Sequence, residues 1–252
     1  MNGQKTRILI TNDDGYHSDG IIALENALSE IADVYVVAPA SEMSGASHSL
    51  TLARPLRIRQ IDARHWTVDG TPTDCVTLAL NRILSVEERP AICVSGINHG
   101  PNLGDDATYS GTVAGAMEST ILGVPGLAFS LSANRSHDFT ESAKVARELT
   151  EKALNEGLPL GTLLNINVPK GVPKGFRVTK QGFKNARPII SEHIDPRGKL
   201  YYWIGEERTG FHADEEGGTD FEAIDDGFVS VTPMRSDLTN YAALEMLQSW
   251  EK

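Results

Sequence analysis

The feature that most limits what this chain can become is the alternation of short apolar runs with stretches of helical periodicity. "RILIT" (Arg7–Thr11) is a β-branched run of strand length, and a glycine-containing loop separates it from Ile21, Leu24, Leu28 and Ile31, spaced three, four and three residues apart. That is strand, loop and amphipathic helix. "DVYVVA" (Asp33–Ala38), "AICVS" (Ala91–Ser95), "GLAFSL" (Gly126–Leu131) and "LLNINV" (Leu163–Val168) repeat the apolar run. The spacing between them predicts helices over about Thr73–Leu84, Thr112–Leu122 and Thr140–Leu154, the second stopped by Gly123 and Pro125. Strands alternating with helices are joined by right-handed crossovers, so they lie parallel in one sheet covered on both faces. The class is α/β, and ligands of such sheets sit outside the carboxyl ends of the strands.

Beyond Pro169 the texture changes. "IISEHI" and "KLYYWIG" read as two extended segments joined by the turn "DPRG", with Pro196 and Gly198 in their favoured positions, and an antiparallel arm over about 188–205 is expected. Tyr201, Tyr202 and Trp203 are adjacent on it, and a two-stranded ribbon cannot cover three neighbouring aromatics, so they pack on another subunit or on the chain's own core. The acidic stretch from His212 to Gly227 reads as a solvated loop, "FVSVTPM" as a returning strand, and Thr239–Trp250 as a terminal helix. We therefore expect one domain over 1–252, with an α/β core over 1–170 and an extension over 171–252.

A formal net charge of -11 argues against a nucleic acid polymer as partner. A small phosphorylated ligand is compatible with it, because a cation, backbone amides and helix termini reverse the sign locally. No apolar run is long enough for a membrane span, the first ten residues lack the apolar core of a leader, and Cys75 and Cys93 read as buried reduced thiols; a cytoplasmic protein is expected.

Four loops carry the chemistry. In "TNDDG" a strand delivers Asp13 and Asp14 side by side, and in water-poor surroundings such a pair needs a proton or a hard divalent cation. The competing reading is that one of them caps the helix beginning near Ser18. "APASEMSGASHS" brings Ser44 and its neighbouring hydroxyls, neutral oxygen ligands for Mg²⁺ or Mn²⁺, around Gly45; His48 reads as a hydrogen-bonding neighbour. "VSGINHGPNLGDD" adds the carboxamides of Asn98 and Asn102 on a glycine-rich backbone, with Asp105 and Asp106 solvated or in support. In "YSGTVAGA", Ser110, Gly111 and Thr112 open a small-residue helix whose first amides and dipole favour an anion, although Ser110 can equally be an ordinary cap. Jointly these loops place two carboxylates, neutral oxygens and an anion site on one sheet edge: the pattern of a metal-assisted phosphohydrolase. A nucleophile elbow and a GxGxxG dinucleotide loop are both absent from the sequence.

"ILITNDDGYHSDGI", "VVAPASEMSGASHSLT", "GTPTDC", "VSGINHGPNLGDD" and "YSGTVAGAMES" resemble, in order and spacing, the signature blocks of the SurE family of nucleotidases, and "LLNINVP", "DPRGKLYYWIG", "GTDF" and "GFVSVTP" continue the resemblance. It implies a three-layer αβα sandwich with a mostly parallel, Rossmann-like sheet and a C-terminal hairpin exchanged between subunits, giving homodimers that pair into homotetramers. It implies a phosphatase acting on nucleoside 5′- and 3′-monophosphates, extending in some members to short polyphosphate. One divalent cation per subunit, Mg²⁺ or Mn²⁺, is implied on Asp13, Asp14, Ser44 and Asn98, and a phosphate cradle on Asn102, Ser110, Gly111 and Thr112. Ala40 departs from the family, whose members often carry Asp there. Asp14, with Asp13 as the alternative, is expected to orient or deprotonate the attacking water; a phosphoaspartyl intermediate on Asp13 is the competing mechanism. A phosphate-binding module without turnover is the competing function.

Overall fold

The computed structural model describes residues 6–133, 138–212 and 217–251. The first half of the chain forms β1 (Arg7–Thr11), α1 (Asp19–Leu28), β2 (Asp33–Pro39), β3 (Ile58–Gln60), β4 (His65–Val68), α2 (Pro72–Leu78), β5 (Ile92–His99) and α3 (Gly111–Ile121). β6 (Gly126–Ser132), α4 (Thr140–Glu156), β7 (Leu163–Pro169), β8 (Phe176–Val178), β9 (Phe183–Ile194), β10 (Leu200–His212), α5 (Asp220–Asp225), β11 (Val229–Met234) and α6 (Tyr241–Leu247) follow. Among the described residues one sheet runs β3-β4-β2-β1-β5-β6-β7-β11-β8. The strands from β4 to β7 in that order are parallel, while β3 and β11 run antiparallel to β4 and β7. This is the mostly parallel α/β sandwich that the alternation implies.

Why the strands read as unbroken apolar runs is visible in β1. Ile8 and Ile10 enter a core with Leu24 and Leu28 of α1 and Leu149 of α4, whereas Leu9 enters a second core with Cys75 and Val76 of α2. Side chains alternate across a strand, so helices on both faces leave no polar side. Fully burying each such side chain contributes about 1.5–3 kcal/mol.

Several boundaries differ from the sequence expectation. α2 starts at Pro72 on a capping box of Thr71 and Asp74, and the helix expected to reach Leu84 continues only as a π-helical turn over Ala79–Ile83. β3 and β4 were unforeseen; β3 is wholly exposed and too short for a periodic signal. The segment read as a solvated loop contains α5, capped by Thr219, with Asp220 fully buried; positions 213–216 of that stretch lie outside the described residues. β9 and β10 form a separate antiparallel ribbon that extends past the expected 188–205 on both strands, closed by Asp195 N–H donating to Lys199 O at 2.8 Å. Tyr201, Tyr202 and Trp203 are exposed on it. β1 lies between β2 and β5, the point where the strand order reverses, so the loops leaving β1, β2 and β5 border one crevice.

Candidate active site

The loop after β1 is folded by its own asparagine: Asn12 Nδ2 donates to Gly15 O at 2.9 Å and to Ser18 Oγ at 2.8 Å. The backbone N–H of Met43, from the loop after β2, donates to Asp13 O at 2.7 Å. Held this way, the Asp13 side chain turns under the start of α3, where the Thr112 hydroxyl donates to its Oδ1. Gly111 permits the approach, since a Cβ there would lie 2.7 Å from that of Asp13. Asp14 is half-buried and accepts at Oδ2 from the His99 backbone N–H at 3.2 Å. Ser18 is the N-cap residue of α1 and makes no side-chain cap bond, and the hydrogen bonds of Asp13 and Asp14 go to Thr112 and His99 rather than to the start of that helix.

Burial pushes the Asp13 carboxyl from 3.8 to about 6; the Thr112 hydrogen bond opposes this and the charge of Asp14 adds to it. Burial also raises Asp14, against the His99 amide. The pair is thus at the carboxyl end of a strand buried from Ile8 to Thr11, and the hydrogen bonds it receives do not offset the cost of burying its charge.

An open cleft of about 370 Å³ lies above them. Asp13, Asp14, Ser44, Asn98, Asn102 and Ser110 all line it, so residues from four loops meet. Gly111 and Thr112 are buried behind Ser110 and are not among the lining residues. Thr112 gives both its hydroxyl and its backbone N–H to Asp13, which leaves Ser110 as the side chain of the α3 start that can meet an anion. Ser110 does cap α3, accepting from Val113 N–H at 3.1 Å, and as a hydroxyl it retains a proton to donate. Asn98 Nδ2 donates to Gly100 O at 2.9 Å, which commits its nitrogen and leaves the oxygen for a cation. Ser44 is exposed and donates to Glu42 Oε1 at 2.8 Å.

Sequence reasoning missed four contributors. Glu42, Tyr109 and Lys184 line the same cleft, and Lys184 Nζ contacts Asp106 Oδ1 and Oδ2 at 2.7 and 2.9 Å. No local pattern links Lys184 to positions some eighty residues earlier. The fourth is a buried scaffold: Asn102 N–H donates to Asn167 Oδ1 (2.8 Å), Asn165 Nδ2 to Asn102 O (2.8 Å), and Asn102 Nδ2 to Ser130 Oγ (2.8 Å). Two asparagines at i and i+2 in the apolar "LLNINV" were its available signal, since they share one face of β7. His48 stays a neighbour: its Nε2 meets Glu118 Oε2 at 2.8 Å, and Glu118 also accepts from Thr77.

Two carboxylates, a hydroxyl and a carboxamide suit a hard divalent cation. The buried Asp13, raised toward neutrality even though the Thr112 hydroxyl and the backbone N–H groups of Asp13 and Thr112 donate to it, is where such an ion relieves an existing cost. Among the described residues no group of three or more His, Cys, Asp or Glu is placed to hold a metal, so any ion here relies on the neutral oxygens as well.

Fold and cleft together define a doubly wound α/β protein whose sheet edge joins a carboxylate pair to the start of a helix. The family model described as Survival protein SurE matches residues 8–188, and the chain belongs to that family. It is 48% identical to the 5′-nucleotidase SurE of Myxococcus xanthus (strain DK1622), over 100% of this chain and 95% of that protein. It is 49% identical to the 5′-nucleotidase SurE of Aquifex aeolicus (strain VF5), over 96% and 97% of the two chains. The crystal structure of the SurE protein from Aquifex aeolicus superposes with a TM-score of 0.85 at 48% identity, covering 98% of this chain and 100% of that one.

Proposed function

We propose that this chain is a metal-dependent nucleotidase that hydrolyses nucleoside 5′- and 3′-monophosphates to nucleoside and phosphate, with short polyphosphate as a further substrate. The observation that carries the reading is the convergence of Asp13, Asp14, Ser44, Asn98, Asn102 and Ser110 on one cleft at the reversal point of the sheet. Asp13, Asp14, Ser44 and Asn98 are the ligands of one Mg²⁺ or Mn²⁺ per subunit. When bound, the ion supplies positive charge for the phosphoryl oxygens and acidifies water.

The chain's own groups do the rest. Asn102, fixed by Asn165, Asn167 and Ser130, presents a rigid edge to the phosphate. Ser110 donates its hydroxyl, and Gly111 and Thr112 form the first turn of α3, whose dipole favours the anion. Asp14 is the base for the attacking water: it lines the cleft and is more open than Asp13. Asp13, tied to Thr112, serves as ligand.

The sheet insertion of β11, from the extension, beside β7 supports one domain over 1–252, with the core over 1–170. The exposed Tyr201, Tyr202 and Trp203 support a homodimer or homotetramer built through the ribbon. Among the described residues no helix is long and apolar enough to cross a membrane, in keeping with a cytoplasmic enzyme.

The test is phosphate release from a panel of nucleoside monophosphates by metal-stripped protein, with and without added Mg²⁺ or Mn²⁺. Release only with metal is expected. Phosphate binding without release under any metal overturns the enzymatic reading in favour of a binding module.

A further inference from the structure

The cleft that receives the phosphate is lined by four carboxylates, Asp13, Asp14, Glu42 and Asp106, and by Lys184. A phosphate monoester carries between one and two negative charges at neutral pH. A divalent ion on Asp13 and Asp14 corrects the sign at one end of the cleft. At the other end Asp106 would repel the incoming phosphate unless a cation of the chain's own stands beside it.

We propose that Lys184 is that cation: a substrate-binding residue whose ammonium, held ready on Asp106, takes a phosphoryl oxygen of the nucleoside monophosphate. The proposal rests on the nucleotidase reading. Lys184 approaches both oxygens of Asp106, at 2.7 and 2.9 Å, and its side chain is only 9% exposed while still lining the cleft. The backbones that carry the pair are already fastened to each other without it. Asp220 accepts from Gly104 N–H at 2.8 Å through Oδ2 and from Gly182 N–H at 2.9 Å through Oδ1, and Gln181 Nε2 donates to Gly104 O at 2.7 Å. These ties lie two or three residues from Lys184 and two from Asp106. The ion pair is therefore not needed to join the two segments, and its position in the cleft gives it another use. The same bracket pre-positions the ammonium, so little side-chain entropy is lost when phosphate arrives. Because Lys184 follows the first residue of β9, the root of the aromatic ribbon delivers this charge to the site.

Wild type, Lys184→Gln, Lys184→Arg and Asp106→Asn are compared for inorganic phosphate affinity and Mg²⁺ affinity by calorimetry, for KM and kcat on a nucleoside monophosphate, and for thermal midpoint. Charge-assisted hydrogen bonds predict that Lys184→Gln weakens phosphate binding and raises KM by about 10-fold or more, with Mg²⁺ affinity unchanged. Lys184→Arg restores most of the loss, and Asp106→Asn binds phosphate as tightly as wild type or more so, because the ammonium no longer answers to a carboxylate. Phosphate affinity of Lys184→Gln within twofold of wild type overturns the proposal. So does equal weakening in Lys184→Gln and Asp106→Asn with lowered midpoints, which marks a structural tie, and so does an absence of phosphate binding by wild type. If wild type binds phosphate but releases none from any nucleotide, the nucleotidase reading fails while the calorimetry still decides Lys184.

Discussion

Asp13→Asn tests the central claim that the acid pair is a cation seat installed at a cost to the fold. Asp13 is 4% exposed, and its carboxyl is pushed up from 3.8 to about 6, first by burial, against the Thr112 hydrogen bond and with help from Asp14. A carboxylate whose folded value lies above its unfolded value favours the native state only while protonated. That contribution is full below pH 3.8 and is lost as pH rises to about 6. Above pH 6 the metal-free protein carries a buried charge that costs roughly 3 kcal/mol, since each pH unit separating the folded from the unfolded value is worth about 1.36 kcal/mol. Asparagine removes the charge, keeps the shape and still accepts from Thr112. In chelator at pH 8, Asp13→Asn should therefore be more stable than wild type by up to roughly 3 kcal/mol, shrinking to about half a kcal/mol by pH 4. Adding Mg²⁺ should stabilise wild type by linkage and leave the variant unmoved, while phosphate release is lost. Urea unfolding at the two pH values, with chelator and then with Mg²⁺, measures all of this. A variant that is less stable than wild type at pH 8 in chelator, or a gap that does not change with pH, refutes the reasoning.

Asp220→Ala strips the acceptor from the N–H groups of Gly104, Gly182 and Phe221; a loss of about 3–5 kcal/mol in urea unfolding is expected, and a loss under about 1 kcal/mol would deny Asp220 its bracing role. His65 is partly buried, which opposes its protonation, but Asp62 and Glu25 at 2.7 Å on either nitrogen raise its pKa. Its stabilisation is thus complete below about pH 6.5 and lost as pH rises through the raised folded value, so His65→Gln should cost about 1 kcal/mol at pH 6 and clearly less at pH 9 in thermal melts. Trp203→Ser, at an exposed position of the ribbon, should shift sedimentation toward smaller species with the melting of the monomer little changed; an unaltered sedimentation profile would remove the ribbon from the assembly.

Periodicity made the parallel sheet legible because β1, β2, β5, β6 and β7 are apolar on both faces and α1 and α4 have clean amphipathic spacing. It failed where burial depends on partners far away in the chain. β3 and β4 pair only at the sheet edge, and neither could be seen without knowing that β2 had a free side. α5 hid in an acidic stretch because Asp220 is among the most polar of residues and yet fully buried; its reason is the three amides it receives, two of them from segments remote in sequence. The loops of the cleft were legible as a set because each follows a strand or precedes a helix of the predicted pattern. Their supports were not: Asn165 and Asn167 looked like interruptions of a strand, and Lys184 like one more surface lysine.

The chain contains two Asp-Asp pairs in the loops of this cleft, and their difference shows what sequence alone lacks. Asp13–Asp14 and Asp105–Asp106 are equivalent as dipeptides. In the fold, Asp105 is exposed and Asp106 meets an ammonium, so each of those charges has water or a counter-ion. Asp13 has no counter-ion, only the Thr112 hydroxyl, the backbone N–H groups of Asp13 and Thr112 and the charge of its neighbour, and burial dominates its proton affinity. An adjacent acid pair is suited to a cation when topology buries it at a strand end and withholds a basic partner. Local residue pattern supplies the acids, and the place of β1 between β2 and β5 supplies the withholding. A basic residue introduced within reach of Asp13 should accordingly stabilise the metal-free fold and abolish the Mg²⁺ response together, since both follow from one uncompensated charge.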